Sequence, residues 1–177
     1  MTRRATIVSV VAAMGFLAAT MYVMTRSDPA SIAATAGPGV GTAAPDWTLA
    51  AIDGEPITLA DSAGSPVVLA FGASWCHPCR KEYPMLETAR RAHTELRIVG
   101  VMVDDVAGIM RNFMRDVGAS WPVGDDRDGI VASRYAIHGL PETFFIRRNG
   151  TIAAHVTGEM SQDLLDEHLA AILAQVP

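Results

Sequence analysis

Hydrophobic positions along the chain fall into three regimes. The first is a single run, Ile7 to Met24, of 18 residues without a charge. As a helix it would span roughly 27 Å, close to the ~30 Å of a bilayer core. Arg3 and Arg4 precede it, while Arg26 and Asp28 behind it cancel. That asymmetry predicts a cytoplasmic start and an exported remainder. Residues 1–24 therefore read as a cytoplasmic stub and a single-pass membrane anchor. The alternatives are a secretory signal cleaved near Ala34-Thr35-Ala36 and a twin-arginine address. The second regime, residues 25–45, is rich in Ala, Gly, Pro and Ser and lacks periodicity, the pattern of a flexible linker.

The third regime, residues 46–177, carries regular structure. Trp47–Ile52 and Ile57–Leu59 flank Asp53-Gly54, a hairpin signal. Val67–Phe71 and Leu96–Val103 are continuous apolar runs, as for strands buried on both faces. A helix is expected between them, from about Cys76 to His93. Ile109, Met110, Phe113, Met114 and Val117 form a helical stripe. A short strand is expected near Trp121-Pro122-Val123, then a helix from Gly129 to Tyr135. Thr143–Ile146 and Thr151–Thr157 read as strands joined through Asn149-Gly150. Ser161 caps a last helix, Gln162–Val176, with Leu164, Leu165, Leu169 and Ile172 inward. The order predicts an α/β domain with a central mixed sheet flanked by helices and an N-terminal β-hairpin.

Composition narrows the function. With 50% hydrophobic and 19% charged residues, the chain is not a disordered acidic or basic tail. Its net charge of −5 gives no basic surplus for a nucleic-acid partner. Two cysteines cannot build a disulfide scaffold or fill a four-ligand zinc site.

Both cysteines fall in Trp75-Cys76-His77-Pro78-Cys79, between an expected strand and an expected helix. Two intervening residues make one helical turn, which brings the sulfurs within bonding distance. Unpaired N–H groups and the helix dipole stabilise an anion at Cys76. An unperturbed thiol is about 3% thiolate at pH 7, and a pKa near 7 makes that about half. Pro78 is tolerated because the first helical turn has no N–H bond to lose. Cys76, the more exposed sulfur, would exchange with a partner's disulfide, and Cys79 would resolve the mixed disulfide. A purely structural disulfide is the first alternative, although so small a loop yields little entropic stabilisation. Half of a metal site is the second, but His77, His93, His138, His155 and His168 show no ligand spacing. Asp125-Asp126-Arg127-Asp128-Gly129 has Gly124 where a calcium loop needs its first Asp, so it reads as an acidic helix-capping loop.

The strand–Cys76-His77-Pro78-Cys79–helix arrangement resembles the thioredoxin superfamily. Gly139-Leu140-Pro141-Glu142-Thr143-Phe144 and Arg80-Lys81-Glu82-Tyr83-Pro84 narrow the likeness to membrane-anchored reductases of the TlpA, ResA and CcmG/DsbE type. Pro141 lies 62 residues after Cys79, farther than in plain thioredoxin, which implies a central insert within residues 103–128. The resemblance implies a redox-active Cys76–Cys79 disulfide with Cys76 as nucleophile and Cys79 as resolving thiol. It further implies a cis Pro141 facing the dithiol, where an extended substrate segment can pair. Glu82 is the expected thiol-tuning acid and proton relay, with Glu142 a second candidate. Trp75, His77, Pro78 and Leu140 are the candidate substrate-contacting residues.

No cofactor or metal is implied. The partners would be disulfide-containing proteins, such as apocytochrome c or the copper-site cysteines of an oxidase, and a membrane thiol-electron donor. The site would stand on the extracytoplasmic side of the cell membrane, anchored by residues 7–24, with roles in cytochrome maturation and redox homeostasis. A disulfide-forming oxidase or a peroxide-reducing redoxin is the nearest alternative, although Ala73 stands where a peroxidase carries Thr. A copper-carrying assembly factor of Sco type, drawing on His138, is the alternative of another class.

Three departures stand out. Thioredoxin has a buried Asp where this chain has Ala70. Gly72 replaces a common bulky aromatic, which predicts a missing packing contact. His77 is unusual between the cysteines; its protonated ring would stabilise a thiolate, whereas the helix dipole opposes that protonation.

Overall fold

The computed structural model describes residues 37–174. A short antiparallel hairpin comes first, β1 (Thr48–Leu49) and β2 (Ile57–Thr58), which form a two-stranded sheet. Thr58 and Asp61 make a reciprocal capping box that turns the chain into a 3₁₀ segment, Leu59–Ser62. The main sheet contains β3 (Val67–Gly72), β4 (Arg97–Met102), β5 (Val123–Asp125), β6 (Glu142–Ile146) and β7 (Ile152–Thr157), ordered β5-β4-β3-β6-β7. β3, β4 and β5 run parallel, while β6 and β7 are antiparallel additions. Four helices complete the domain: α1 (His77–Ala92), α2 (Ala107–Asp116), α3 (Ile130–Arg134) and α4 (Gln162–Leu173).

β3 is central, so all six of its residues are buried, and its apolar run alternates between two cores. Val68 and Ala70 join the cluster that holds Cys76, Cys79, Tyr83 and Leu86 of the α1 region with residues of α2 and α4. Val67, Leu69 and Phe71 join Trp47, Val131, Tyr135 and Phe144 on the opposite face. This is the expected mixed sheet covered on both sides.

The boundaries shift where local chemistry intervenes. β5 starts at Val123 rather than Trp121, because Trp121 packs into the core and Pro122 lends only its carbonyl, to Gly100 N at 2.9 Å. α2 starts at Ala107, before the apolar stripe. α4 ends at Leu173, and residues 175–177 lie outside the described part. The acidic loop caps a helix as expected: Asp126 accepts from Val131 N (3.0 Å) and Ala132 N (2.7 Å). Residues 41–44 lie beside the start of β7, with Gly41 N donating to Ile152 O and Ala44 N to Gly150 O.

The expectation of a single-pass membrane protein is corrected. Among the described residues no helix is long and apolar enough to cross a membrane. The longest, α1, has 16 residues and carries Arg80, Lys81, Glu82, Glu87, Arg90 and Arg91, whereas a span needs about 20 predominantly apolar ones. Ile7–Met24, on which the expectation rested, lies outside the described residues.

Candidate active site

The site is built where β3 turns into α1. Cys76 N donates to Ala73 O (3.1 Å), closing the turn. Two contacts from the β4–α2 loop brace it: Asp105 Oδ2 accepts from Ser74 N (2.5 Å), and Asp104 O accepts from the Trp75 indole N–H (2.9 Å). Asp104 has φ 48°, a left-handed conformation that Asp tolerates better than most residues. Trp75 is therefore a surface residue, 60% exposed, and not a core filler.

Cys76 is the N-cap of α1, and its Sγ accepts from Cys79 N at 3.2 Å. His77 and Pro78 occupy the first helical positions, His77 exposed and Pro78 half-buried. The sulfurs are joined, with the Cα atoms 5.3 Å apart. Cys79 is fully buried and Cys76 nearly so, at 3% exposure.

The second wall comes from β6. The antiparallel register pairs Phe71 with Glu142, so the preceding Leu140–Pro141 bond, which is cis, falls opposite the end of β3. Pro141 is buried, its carbonyl accepting from Gly158 N (2.8 Å), and half-buried Leu140 packs against both cores.

The two candidate acids part company. Glu82, on α1, is 1% exposed, and its Oε1 accepts from Thr143 Oγ1 at 2.8 Å. Its Oε2 is buried without a partner. Burial above all pushes its carboxyl pKa upward, opposed by the Thr143 hydrogen bond and the nearby Met160 backbone and aided by the Glu159 charge. Thr143 pairs across the sheet with Ala70, so this carboxyl approaches the β-strand position where thioredoxin carries its buried Asp.

Glu142 sits one residue away on β6, and strand alternation turns it to the opposite face, the side of Phe144. Its Oε1 accepts from His138 N (2.8 Å) and Gly139 N (3.1 Å), and its Oε2 lies 2.7 Å from His155 Nε2. The His155 ring stacks on Phe144, centroids 3.9 Å apart and planes within 9°. Glu142 thus ties down the loop that enters the cis proline.

The missing contact expected at Gly72 is filled. A methyl group there would lie 2.2 Å from the Tyr83 hydroxyl oxygen, so the aromatic bulk comes from α1 instead of β3. The sequence assigns Thr143, Asp105, Tyr83 and His155 no part in the site. Strand alternation could have flagged Thr143, which shares the face of Phe145, and helical spacing could have flagged Tyr83, one turn beyond Cys79. The Asp105 brace and the His155 pairing have no local signal. Among the described residues no three His, Cys, Asp or Glu side chains converge where a metal ion could sit.

This arrangement is suited to sulfur exchange: a sulfur capping a helix N-terminus, a second sulfur one turn on, a buried acid, and the Leu140–Pro141 segment opposite the end of β3. Comparisons agree. The model of the AhpC/TSA family matches residues 40–155. The chain is similar to the thiol-disulfide oxidoreductase ResA of Oceanobacillus iheyensis, 34% identical over 142 residues that cover 77% of this chain and 74% of that one. Among solved structures it is similar to a Chlorobium tepidum protein assigned as a thiol:disulfide interchange protein DsbE. The TM-score is 0.73 and the identity 30%, with 77% of this chain and 99% of the other covered. A secreted Mycobacterium tuberculosis disulfide oxidoreductase homologous to Escherichia coli DsbE gives a TM-score of 0.66 and 31% identity, covering 71% of this chain and 95% of that one.

Proposed function

The chain belongs to the AhpC/TSA family and, within the thioredoxin-like proteins, to the thiol-disulfide oxidoreductases of ResA and DsbE type, and from that premise we propose that it reduces disulfides of protein clients through Cys76 and Cys79. The observation that carries this reading is the bond from Cys79 N to Cys76 Sγ at 3.2 Å. It holds the capping sulfur against an unpaired helix N–H, where a thiolate is stabilised by the same donor and by the helix dipole.

In the reduced protein the Cys76 thiolate attacks a client disulfide, and the leaving client sulfur takes up a proton. Cys79 then attacks Cys76 Sγ, which restores the internal disulfide and releases the second client thiol. Two electrons pass to the client in all. Confining both sulfurs to one helical turn makes the second step intramolecular. Glu82, three residues beyond Cys79, is the group that takes the Cys79 proton; its upward-shifted pKa brings it nearer the operating range of a relay. The cis Pro141 wall receives an extended client segment, flanked by Trp75, His77, Pro78 and Leu140. Oxidised cysteine pairs of apocytochrome c or of an oxidase copper site are the clients we favour, with a dithiol donor restoring the protein.

The test is insulin-disulfide reduction together with the potential of the couple. Reduction abolished by Cys76→Ser, and a mixed disulfide trapped on Cys76 in Cys79→Ser, support the reading. A potential above roughly −130 mV, among strong oxidants, contradicts reduction as the working direction.

A further inference from the structure

One buried hydroxyl at this site has no part in the exchange just described. Tyr83 lies one helical turn after Cys79, and helical side chains lean toward the N-terminus, so its ring runs back along Cys79 toward the end of β3. It is fully buried. Phe113 (centroids 5.4 Å apart) and Trp121 (5.2 Å) pack against the ring at 69° and 60° and fix its position. Its hydroxyl has no hydrogen-bond partner, a costly condition for a buried donor. The bare Gly72 Cα locates it. A methyl group added there would meet Tyr83 Oη at 2.2 Å and Cys79 Sγ at 3.3 Å, so the hydroxyl and the resolving sulfur border the same small space. Gly72 leaves that space open for the oxygen.

We propose that Tyr83 sets the redox poise of the pair, its hydroxyl donating a hydrogen bond to Cys79 Sγ in the reduced protein and lacking that acceptor in the disulfide. The inference rests on the exchange chemistry proposed above. Reduction by a dithiol joins the reductant's two sulfurs and breaks the Cys76–Cys79 bond. Two electrons and two protons leave the reductant, and both cysteines become thiols. Freed from the S–S bond, the Cys79 sulfur can turn toward the hydroxyl, and as its proton passes to Glu82 it becomes a far stronger acceptor than a disulfide sulfur. Tyr83 keeps its proton to donate, because burial and the charges of Glu82 and Asp105 push its pKa up. A bond present only in the reduced form draws the couple toward that form.

The experiment equilibrates the wild-type protein and Tyr83→Phe with glutathione redox buffers. Phenylalanine keeps the ring and its packing against Phe113 and Trp121 and removes one oxygen. The expected result is an equilibrium constant shifted about tenfold toward the disulfide in the variant, equivalent to about 30 mV more negative. A constant unchanged within twofold overturns the inference. A second measurement needs no variant to fold: the reduced-minus-oxidised near-ultraviolet spectrum of the wild type carries a tyrosine red shift. Its absence also overturns the inference. Wild-type protein that reduces insulin while Tyr83→Phe leaves the couple unmoved sinks this inference alone. Wild-type protein that reduces no protein disulfide, with the tenfold shift intact, sinks the proposed function and not the role of Tyr83.

Discussion

Thr143 of β6 donates its hydroxyl hydrogen to Glu82 of α1 across 2.8 Å, and this bond joins the sheet to the active-site helix inside the core. Glu82 is 1% exposed, and its pKa is raised mainly by burial. A carboxyl whose folded pKa is raised contributes stability that is full below its ordinary value of 4.5 and is lost as pH rises through the folded value. Glu82→Gln keeps the acceptor for Thr143 and cannot ionise. The variant should gain stability over wild type between pH 4 and pH 8 in urea titrations. Its disulfide-exchange rate should fall about a hundredfold at neutral pH, the low end of general acid–base catalysis. A variant less stable than wild type at pH 8, or equally fast, would contradict this account of the acid.

Glu142 serves the same site from the other face of the sheet. It accepts two backbone N–H bonds from His138 and Gly139 and meets His155, so it secures the loop that delivers Leu140 and the cis Pro141. Glu142→Ala leaves both N–H groups without that acceptor and should cost about 2 kcal/mol of stability. Exchange should slow as well, because the proline wall loosens. Glu142→Gln retains one carbonyl oxygen for the two N–H groups and should recover most of both losses. Equal damage from the two substitutions, by thermal melting and insulin reduction, would show that the charge matters and the loop bonds do not.

Much of this was legible in the chain. The apolar runs at Val67–Phe71 and Leu96–Val103 marked strands buried on both faces, and the structure makes them the parallel centre of the sheet. The Cys-x-x-Cys spacing marked the chemistry, because two residues are one turn wherever a helix begins. The Gly139–Phe144 segment marked the cis proline only through likeness to a family, since a cis bond has no local signature. What stayed hidden depends on pairing across distance. Glu82 and Glu142 are both candidate acids in the sequence, and only the fold lays Glu82 of α1 against Thr143 while strand alternation turns Glu142 of β6 to the opposite face. Nothing local marks Asp105, which only the fold sets against Ser74 N. Gly72 read as a deficit because Tyr83, eleven residues on, could not be seen to fill it.

That complementarity between Gly72 and Tyr83 can be measured. A Cβ at position 72 would meet the Tyr83 hydroxyl at 2.2 Å but the ring carbon bearing it at 3.1 Å. Gly72→Ala should therefore destabilise the protein by about 1–3 kcal/mol through overpacking. In a Tyr83→Phe background the worst contact is gone, and the cost should drop by about 1 kcal/mol. A double-mutant cycle in urea isolates that coupling. Additive effects would mean that the two positions do not share the space.

Glu87 ties α1 to the loop before β5, and its linkage has the opposite sign to that of Glu82. Its carboxylate accepts from Arg90 Nη2 (2.8 Å), Arg91 Nε (2.7 Å) and Ser120 N (3.2 Å). The Arg90 hydrogen bond, more than any other contact, holds its pKa down to about 2 against the cost of burial. A carboxylate with a depressed folded pKa contributes stability above its ordinary 4.5, and that contribution is lost as pH falls through about 2. Glu87→Gln removes the charge and should cost about 1–2 kcal/mol at pH 7, discounted because Arg91 is largely in water. Between pH 4.5 and pH 2 wild type should lose stability faster than the variant, so the two urea midpoints converge. Midpoints that stay parallel through that interval would show that the arginines do not hold the folded carboxyl below its ordinary pKa.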